Sequence, residues 1–252
     1  MDNANKVLIV QLTRIGDLIQ TLQAARQLKS ENPNISLGLV ARSKFAKGID
    51  FLLKTVFDDL YLFDTKDFFI HKSFKDSQKQ VSSFISEINN QNYELLINLS
   101  FTKASSYLST SINAKVKFGL SRNLRSEVVI DDKWSQFVYS NTMVHADSPF
   151  CLVDIYRYIM GVDQTLVLDP DPEFDSRDDN IVLHPFASQR KKKWGINKWN
   201  ELIFKLAKDN PNYKFHIVGG PEDQAQAQRL MNSPALSSLK NRIFNKTNDH
   251  SI

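Results

Sequence analysis

Apolar positions fall into two alternating kinds of run along this chain. Val7-Leu8-Ile9-Val10-Gln11-Leu12 is short, almost continuously apolar and rich in β-branched residues, the pattern of a strand covered on both faces. The turn Thr13-Arg14-Ile15-Gly16-Asp17 follows at once. Leu18, Leu22, Ala25 and Leu28 then recur at helical spacing until Asn32-Pro33 stops the helix. Further strands are expected over residues 35–41, 59–63, 95–99 and 114–119. Helices are expected over about 76–89, with Val81, Phe84, Ile85 and Ile88 on one face, and around 151–160. Strands interleaved with helices predict an α/β fold with a parallel, doubly wound sheet.

Between Val167 and Asn180 the pattern breaks. Six acidic residues crowd around Pro170 and Pro172, a composition that favours solvated, extended chain. The organisation that follows is a first domain over 1–168, an acidic linker over 169–180 and a second domain over 181–252. Asp169-Pro170-Asp171 formally matches a metal-binding D-x-D pattern, but its place among prolines reads as linker. The second domain opens with a strand at Ile181-Val182-Leu183 and a helix over 198–208. A strand over 215–219 follows, then a polar helix after Gly219-Gly220-Pro221, and a third strand near Arg242-Ile243-Phe244. A nucleotide-binding half-sheet of this class usually has five or six strands, so the second domain is expected to be incomplete.

Composition narrows the classes. The 252 residues, 42% of them hydrophobic, are ample for one or two buried cores. No stretch approaches the roughly 18–20 uncharged apolar residues that span a bilayer, and the N-terminus lacks a secretory pattern. The single cysteine, Cys151, excludes an internal disulfide and fits a reducing compartment. A cytoplasmic protein is expected. The formal charge of +4 is compatible with an anionic ligand, an acidic membrane surface or a nucleic acid and selects none of them. There is no zinc-ligand spacing, RNP-like motif or recognition helix, so nucleic acid is not an expected partner. No G-x-G-x-x-G follows the first strand, which argues against a dinucleotide oxidoreductase.

Asp17 stands at the carboxyl edge of the first strand, where open α/β sheets collect ligands, beside a glycine that permits close approach. Taken alone, the residues leave two roles open for it, helix capping first and chemistry second.

The order of an apolar strand, an R-x-G-D turn, the helix L-x-x-T-L-x-A-A-R-x-L and a second strand after Asn32-Pro33-Asn34 resembles the start of glycosyltransferase family nine, the lipopolysaccharide heptosyltransferases and their relatives. A second block, Leu183-His184-Pro185-Phe186-Ala187-Ser188 through Lys192-Lys193-Trp194 to Trp199, is similar to the segment that opens that family's second domain. The resemblance implies a GT-B-like architecture of two Rossmann-like domains facing a cleft, with acceptor on the first and nucleotide-sugar donor on the second. It implies an inverting, metal-independent transfer of heptose or a related sugar to an anionic, lipid-linked envelope glycan. The co-substrate would be a nucleotide-diphosphate sugar, with an ADP-sugar expected, and no cofactor. A bacterial, cytoplasmic setting with peripheral contact to the inner membrane follows.

By position, the family's base maps onto Asp17 and its diphosphate-stabilising cation onto Lys192, with Lys193 as the neighbouring register. Ser188 matches a hydroxyl that contacts donor phosphate, although backbone capping suits it equally. Glu222 stands where a carboxylate can accept from ribose hydroxyls, or serve as a helix N-terminal acid. Arg14 and Arg122 are the acceptor-side arginines, and bidentate contacts from them would suit an anionic glycan. His184 reads as structural, and Trp194 and Trp199 as packing anchors. The family's D-x-G-x-x-H segment, which helps hold the donor, has no counterpart here. That departure suggests C-terminal truncation, and with it an alternative function: a non-catalytic, glycosyltransferase-like protein that binds glycan or a protein partner.

Overall fold

In a computed structural model of the chain, the described residues are 4–64, 73–144, 148–162, 179–187 and 189–247. They belong to two units, Met1–Asp169 and Pro170–Ile252. Most of the expected linker, including Asp169-Pro170-Asp171, lies outside the described residues, as do Ser188 and His250.

The first unit runs β1 (Lys6–Gln11), α1 (Ile15–Glu31), β2 (Ser36–Arg42), three short helical turns over 43–53, β3 (Asp59–Phe63), α2 (Phe74–Asn89), β4 (Leu95–Asn98), α3 (Lys103–Ser111) and β5 (Val116–Gly119). A two-stranded hairpin, β6 (Ser121–Arg122) and β7 (Val128–Val129), leads to α4 (Lys133–Val144) and α5 (Leu152–Met160). The main sheet has the order β3-β2-β1-β4-β5 and is parallel throughout, with Val7 paired to Leu37 on one side and Leu95 on the other.

Period-2 alternation in β1 divides the core between the two faces. Val7 and Ile9 pack with Leu18, Leu22 and Leu28 of α1 and with Ile155 and Ile159 of α5. Leu8 and Val10 pack with Ile88 of α2 and Leu108 of α3 on the opposite face. Both faces are therefore covered, which is why β1 reads as a continuous apolar run. α1 ends at Asn32, whose backbone N–H and side-chain amide both donate to the Leu28 carbonyl.

At Gly38 in β2 the sheet leaves no room for a side chain. A Cβ there would overlap the Tyr93 hydroxyl and lie 2.7 Å from Tyr93 Cζ. Tyr93 cannot swing aside, because its hydroxyl donates to Asp59 Oδ2 at 2.9 Å and meets the Tyr61 hydroxyl at 3.2 Å. Burial, together with the bonds to Tyr61 and Asp59, pushes the Tyr93 hydroxyl pKa well above its ordinary value. Gly38→Ala is expected to lower stability by about 1–3 kcal/mol through overpacking. Urea denaturation should show part of that loss recovered in the double variant with Tyr93→Phe.

The second unit runs β8 (Asn180–Leu183), α6 (Ile196–Asp209), β9 (Lys214–Ile217), α7 (Gln224–Met231), a 3₁₀ run (Pro234–Arg242) and β10 (Ile243–Asn245). Its parallel sheet has the order β10-β9-β8, repeating the β3-β2-β1 half of the first sheet. Leu183, Phe215 and Ile217 bury against Ile203 of α6, Leu230 of α7 and Leu236. The other face is open among the described residues: Val182 is 65% exposed, and the His216 ring stacks on Phe244 at 5.2 Å.

Candidate functional site

The sheet order of the first unit reverses between β1 and β4, so the loops after those two strands form its topological switch point, the usual ligand position in this architecture. Asp17 stands there, in the first turn of α1. Its Oδ2 accepts the Arg14 backbone N–H at 3.1 Å, while the Asp17 and Leu18 amides both donate to the Arg14 carbonyl. Asp17 thus does cap the helix start. Among the described residues its second oxygen, Oδ1, accepts no hydrogen bond and the carboxylate has no ion-pair partner. Gly16 is exposed, with no atom near the place a Cβ would occupy, so space above the turn is open. One backbone bond fixes the orientation of the carboxylate and leaves its other oxygen available.

Beneath this turn lies a buried polar hub that the sequence did not announce as functional. Gln11, the last residue of β1, is fully buried. Its amide nitrogen donates to Thr21 Oγ1 at 3.2 Å and to the Tyr156 hydroxyl at 3.0 Å. Its oxygen accepts from Ser100 Oγ at 2.9 Å, from the Thr13 amide at 3.3 Å and from the Thr13 hydroxyl. Ser100 also receives the Leu12 amide at 2.6 Å. The hub therefore ties α1, α5 and the post-β4 loop to the turn that carries Asp17. Burial first, and the negative charge of Asp17 second, push the Tyr156 hydroxyl pKa above its ordinary value. The available signal was a lone amide at the end of an apolar strand.

The two acceptor-side arginines differ. Arg14 is exposed, and its guanidinium has no partner among the described residues. Arg122 is committed: Nε donates to Ser106 Oγ at 2.8 Å, Nη1 donates to the Ser126 carbonyl, and the guanidinium lies 4.8 Å from the Tyr107 ring centroid. It pins the hairpin to α3, and this local use accounts for an arginine at that position.

In the second unit, a 3₁₀ turn over Arg190–Lys192 follows β8, and the Lys192 amide donates to the Gln189 carbonyl at 3.0 Å. The Lys192 side chain is exposed, with no partner among the described residues. Lys193 instead lines a cavity of about 370 Å³ with Trp194, Trp199 and Arg229. Adjacent register positions thus serve different places. Glu222 is exposed and folds back over Gly220, where a Cβ would meet its carboxylate at 2.6 Å. Asp223, not Glu222, takes the helix-start role, accepting the Gly220 amide at 3.1 Å. His184 is exposed rather than packed beneath a surface. Trp199 packs on the core of this unit, but Trp194 is 52% exposed, so only one of the two anchors anything. Among the described residues no group of three His, Cys, Asp or Glu side chains is placed to hold a metal ion, and no helix is long and apolar enough to cross a membrane.

The same two-unit arrangement of strands and helices occurs in solved structures. A glycosyl transferase family 9 protein from Veillonella parvula is 18% identical, with 98% of this chain and 70% of that chain covered and a TM-score of 0.71. The E. coli heptosyltransferase WaaC, solved with ADP-2-deoxy-2-fluoro heptose, is 17% identical over 95% of this chain and 75% of that one, with a TM-score of 0.68. E. coli ADP-heptose lps heptosyltransferase II is 12% identical over 98% of this chain and 73% of that one, with a TM-score of 0.65. At such identities these likenesses establish the fold, a GT-B-like α/β architecture. A search of curated protein sequences returned no match. The sequence model of glycosyltransferase family 9 (heptosyltransferase) matches residues 81–245, a span that begins after the Asp17 turn and takes in the Lys192 loop. Because that match extends over well more than half of the chain, the protein belongs to glycosyltransferase family 9, the heptosyltransferase family.

Proposed function

We propose that this chain transfers a sugar, heptose or a close relative, from a nucleotide-diphosphate donor to an anionic envelope glycan, with inversion at the anomeric carbon. The observation that carries the reading is the Asp17 carboxylate at the switch point, held by one oxygen and open at the other. In the proposed reaction Asp17 takes the proton from an acceptor hydroxyl as that oxygen bonds to the anomeric carbon. The bond from that carbon to the diphosphate breaks, and the ammonium of Lys192 offsets the charge left on the leaving group. A lysine supplies this as a mobile point charge, so no metal ion enters the proposal. Arg14, exposed and uncommitted beside Asp17, is the better placed of the two arginines to meet an anionic acceptor. Glu222 remains a proposed ribose contact and Ser188 a proposed phosphate contact. The first unit is assigned the acceptor and the second the donor.

Structures of WaaC with ADP and with an ADP-sugar analogue support ADP as the nucleotide to try first. Calorimetric titration with ADP, UDP and GDP is expected to show selective ADP binding, weakened about tenfold or more in Lys192→Ala, as for loss of a charge-assisted contact. Equal binding of all three nucleotides, or unchanged affinity in Lys192→Ala, would overturn the donor assignment. Absence of nucleotide binding by the folded chain would favour a glycan-binding protein without catalysis.

A further inference from the structure

The Lys193 cavity has a chemistry that the transfer reaction does not account for. It lies wholly within the second unit, is formed by the post-β8 loop, the first turn of α6 and α7, and has about 370 Å³ of space, a usual size for a small-ligand site. Its apolar walls combine the aromatic Phe186, Trp194 and Trp199 with Pro185, Ile196 and Leu230. Its polar groups are Lys193, Gln226 and Arg229, and no carboxylate is among the described residues that line it.

All three of these polar residues are exposed. Among the described residues, the side chains of Lys193, Gln226 and Arg229 make no hydrogen bond or ion pair. The indole Nε1 of Trp199 is closed to solvent and meets no acceptor among the described residues, so it takes no part in the proposed contact. Two cations in one cavity wall, with no counter-ion among the described residues, favour a negatively charged ligand.

The ring geometry shapes the apolar part of that ligand. Trp194 and Trp199 meet at 76° with centroids 5.4 Å apart, which makes a corner rather than a parallel-sided slot. A chair-shaped sugar presents an apolar C–H face to one indole and an edge to the other, and fills a corner. We propose that this cavity is a binding site for an anionic saccharide, with the sugar ring against Trp194 and Trp199 and its phosphate or carboxylate on Arg229 and Lys193. It is a saccharide contact on the second unit, additional to the acceptor role given to the first, and it does not rest on the roles of Asp17 or Lys192.

The chain has three tryptophans, two of them in this cavity, and the third, Trp134, stacked on Tyr158 in the first unit. Intrinsic fluorescence of the full chain therefore reads the site, with Trp134→Phe removing the background. Glucose 6-phosphate and glucuronate are the probes for the phosphate and carboxylate forms, against glucose, AMP and inorganic phosphate. Saturable quenching is expected in the millimolar range with one or both anionic sugars, at least tenfold weaker with glucose, and at least tenfold weaker in Arg229→Ala. The same response should persist in Lys192→Ala and Asp17→Asn, which separates this site from the proposed reaction. Tighter binding of AMP than of either anionic sugar would make the cavity a nucleotide site and overturn the proposal. Phosphate binding as tight as glucose 6-phosphate, an unaffected Arg229→Ala, or no response to either anionic sugar would also overturn it.

Discussion

Asp17→Asn is expected to lower kcat by about 10²–10⁴-fold, the usual contribution of a positioned general base, while KM for both substrates changes little. The substitution separates the two roles that the residue holds at once. Asparagine retains an oxygen able to accept the Arg14 amide now held at 3.1 Å, and asparagine and aspartate cap helices about equally well. What it loses is the capacity to take a proton and the favourable placement of a negative charge at a helix start, about 0.3–1 kcal/mol. The melting temperature should therefore move by only a few degrees at most while turnover collapses. Asp17→Ala, which removes the cap as well, should lose the same activity and more stability. The measurement is nucleotide release from an ADP-sugar in the presence of envelope glycan, beside a thermal melt of each variant. Full turnover in Asp17→Asn would place the base elsewhere and leave Asp17 as a cap alone.

Much of the first unit was legible because its strands are covered on both faces. Burial on both sides demands a continuous apolar run, and β1, β2 and β4 announce themselves in that way. α1 was legible because Leu18, Leu22, Ala25 and Leu28 form one apolar stripe. α3 was not, because its buried positions include Ser105, Ser106 and Ser109, small residues that let the helix lie close to the sheet without hydrophobic periodicity. Its start is set by Thr102, whose side chain accepts the Ser105 amide, a signal too short to read unaided. The β6–β7 hairpin pairs only two residues per strand and is held by Arg122 instead. A basic residue in a loop reads as a ligand contact in sequence, and its use here as a local pin becomes visible only when Ser106 and Ser126 are brought to it. Asp17 and Lys192 were found by resemblance and position, whereas Gln226 and Arg229 join the Trp194–Trp199 corner only through the packing of α7 beside α6.

Gln11→Leu is expected to cost about 2–4 kcal/mol of stability, the range for leaving more than one buried polar group without its partner. Leucine fits the volume and the apolar context, so hydrophobicity alone would predict a neutral or favourable change. The hub argues otherwise, since Thr21, Tyr156, Ser100 and Thr13 all bond to the Gln11 amide, in a region where water is not at hand to replace it. Gln11→Glu sharpens the test because it keeps the shape. Its carboxylate could accept from Ser100 and Thr13 as before, and from Thr21 and Tyr156 if those hydroxyls turned their protons toward it. A buried glutamate near the Asp17 charge has its pKa raised in the folded state relative to the unfolded chain. The folded protein then holds that proton more tightly, so the variant should be most stable in acid and lose stability as pH rises through the raised value. Urea denaturation at about pH 5 and pH 8 should therefore show a Gln11→Glu deficit that widens at the higher pH, and a Gln11→Leu deficit that does not. Because the hub also ties down the turn bearing Asp17, residual turnover in either variant should fall through kcat rather than KM. Wild-type stability in Gln11→Leu would mean that the turn is held by its own backbone bonds and that the hub contributes nothing to it.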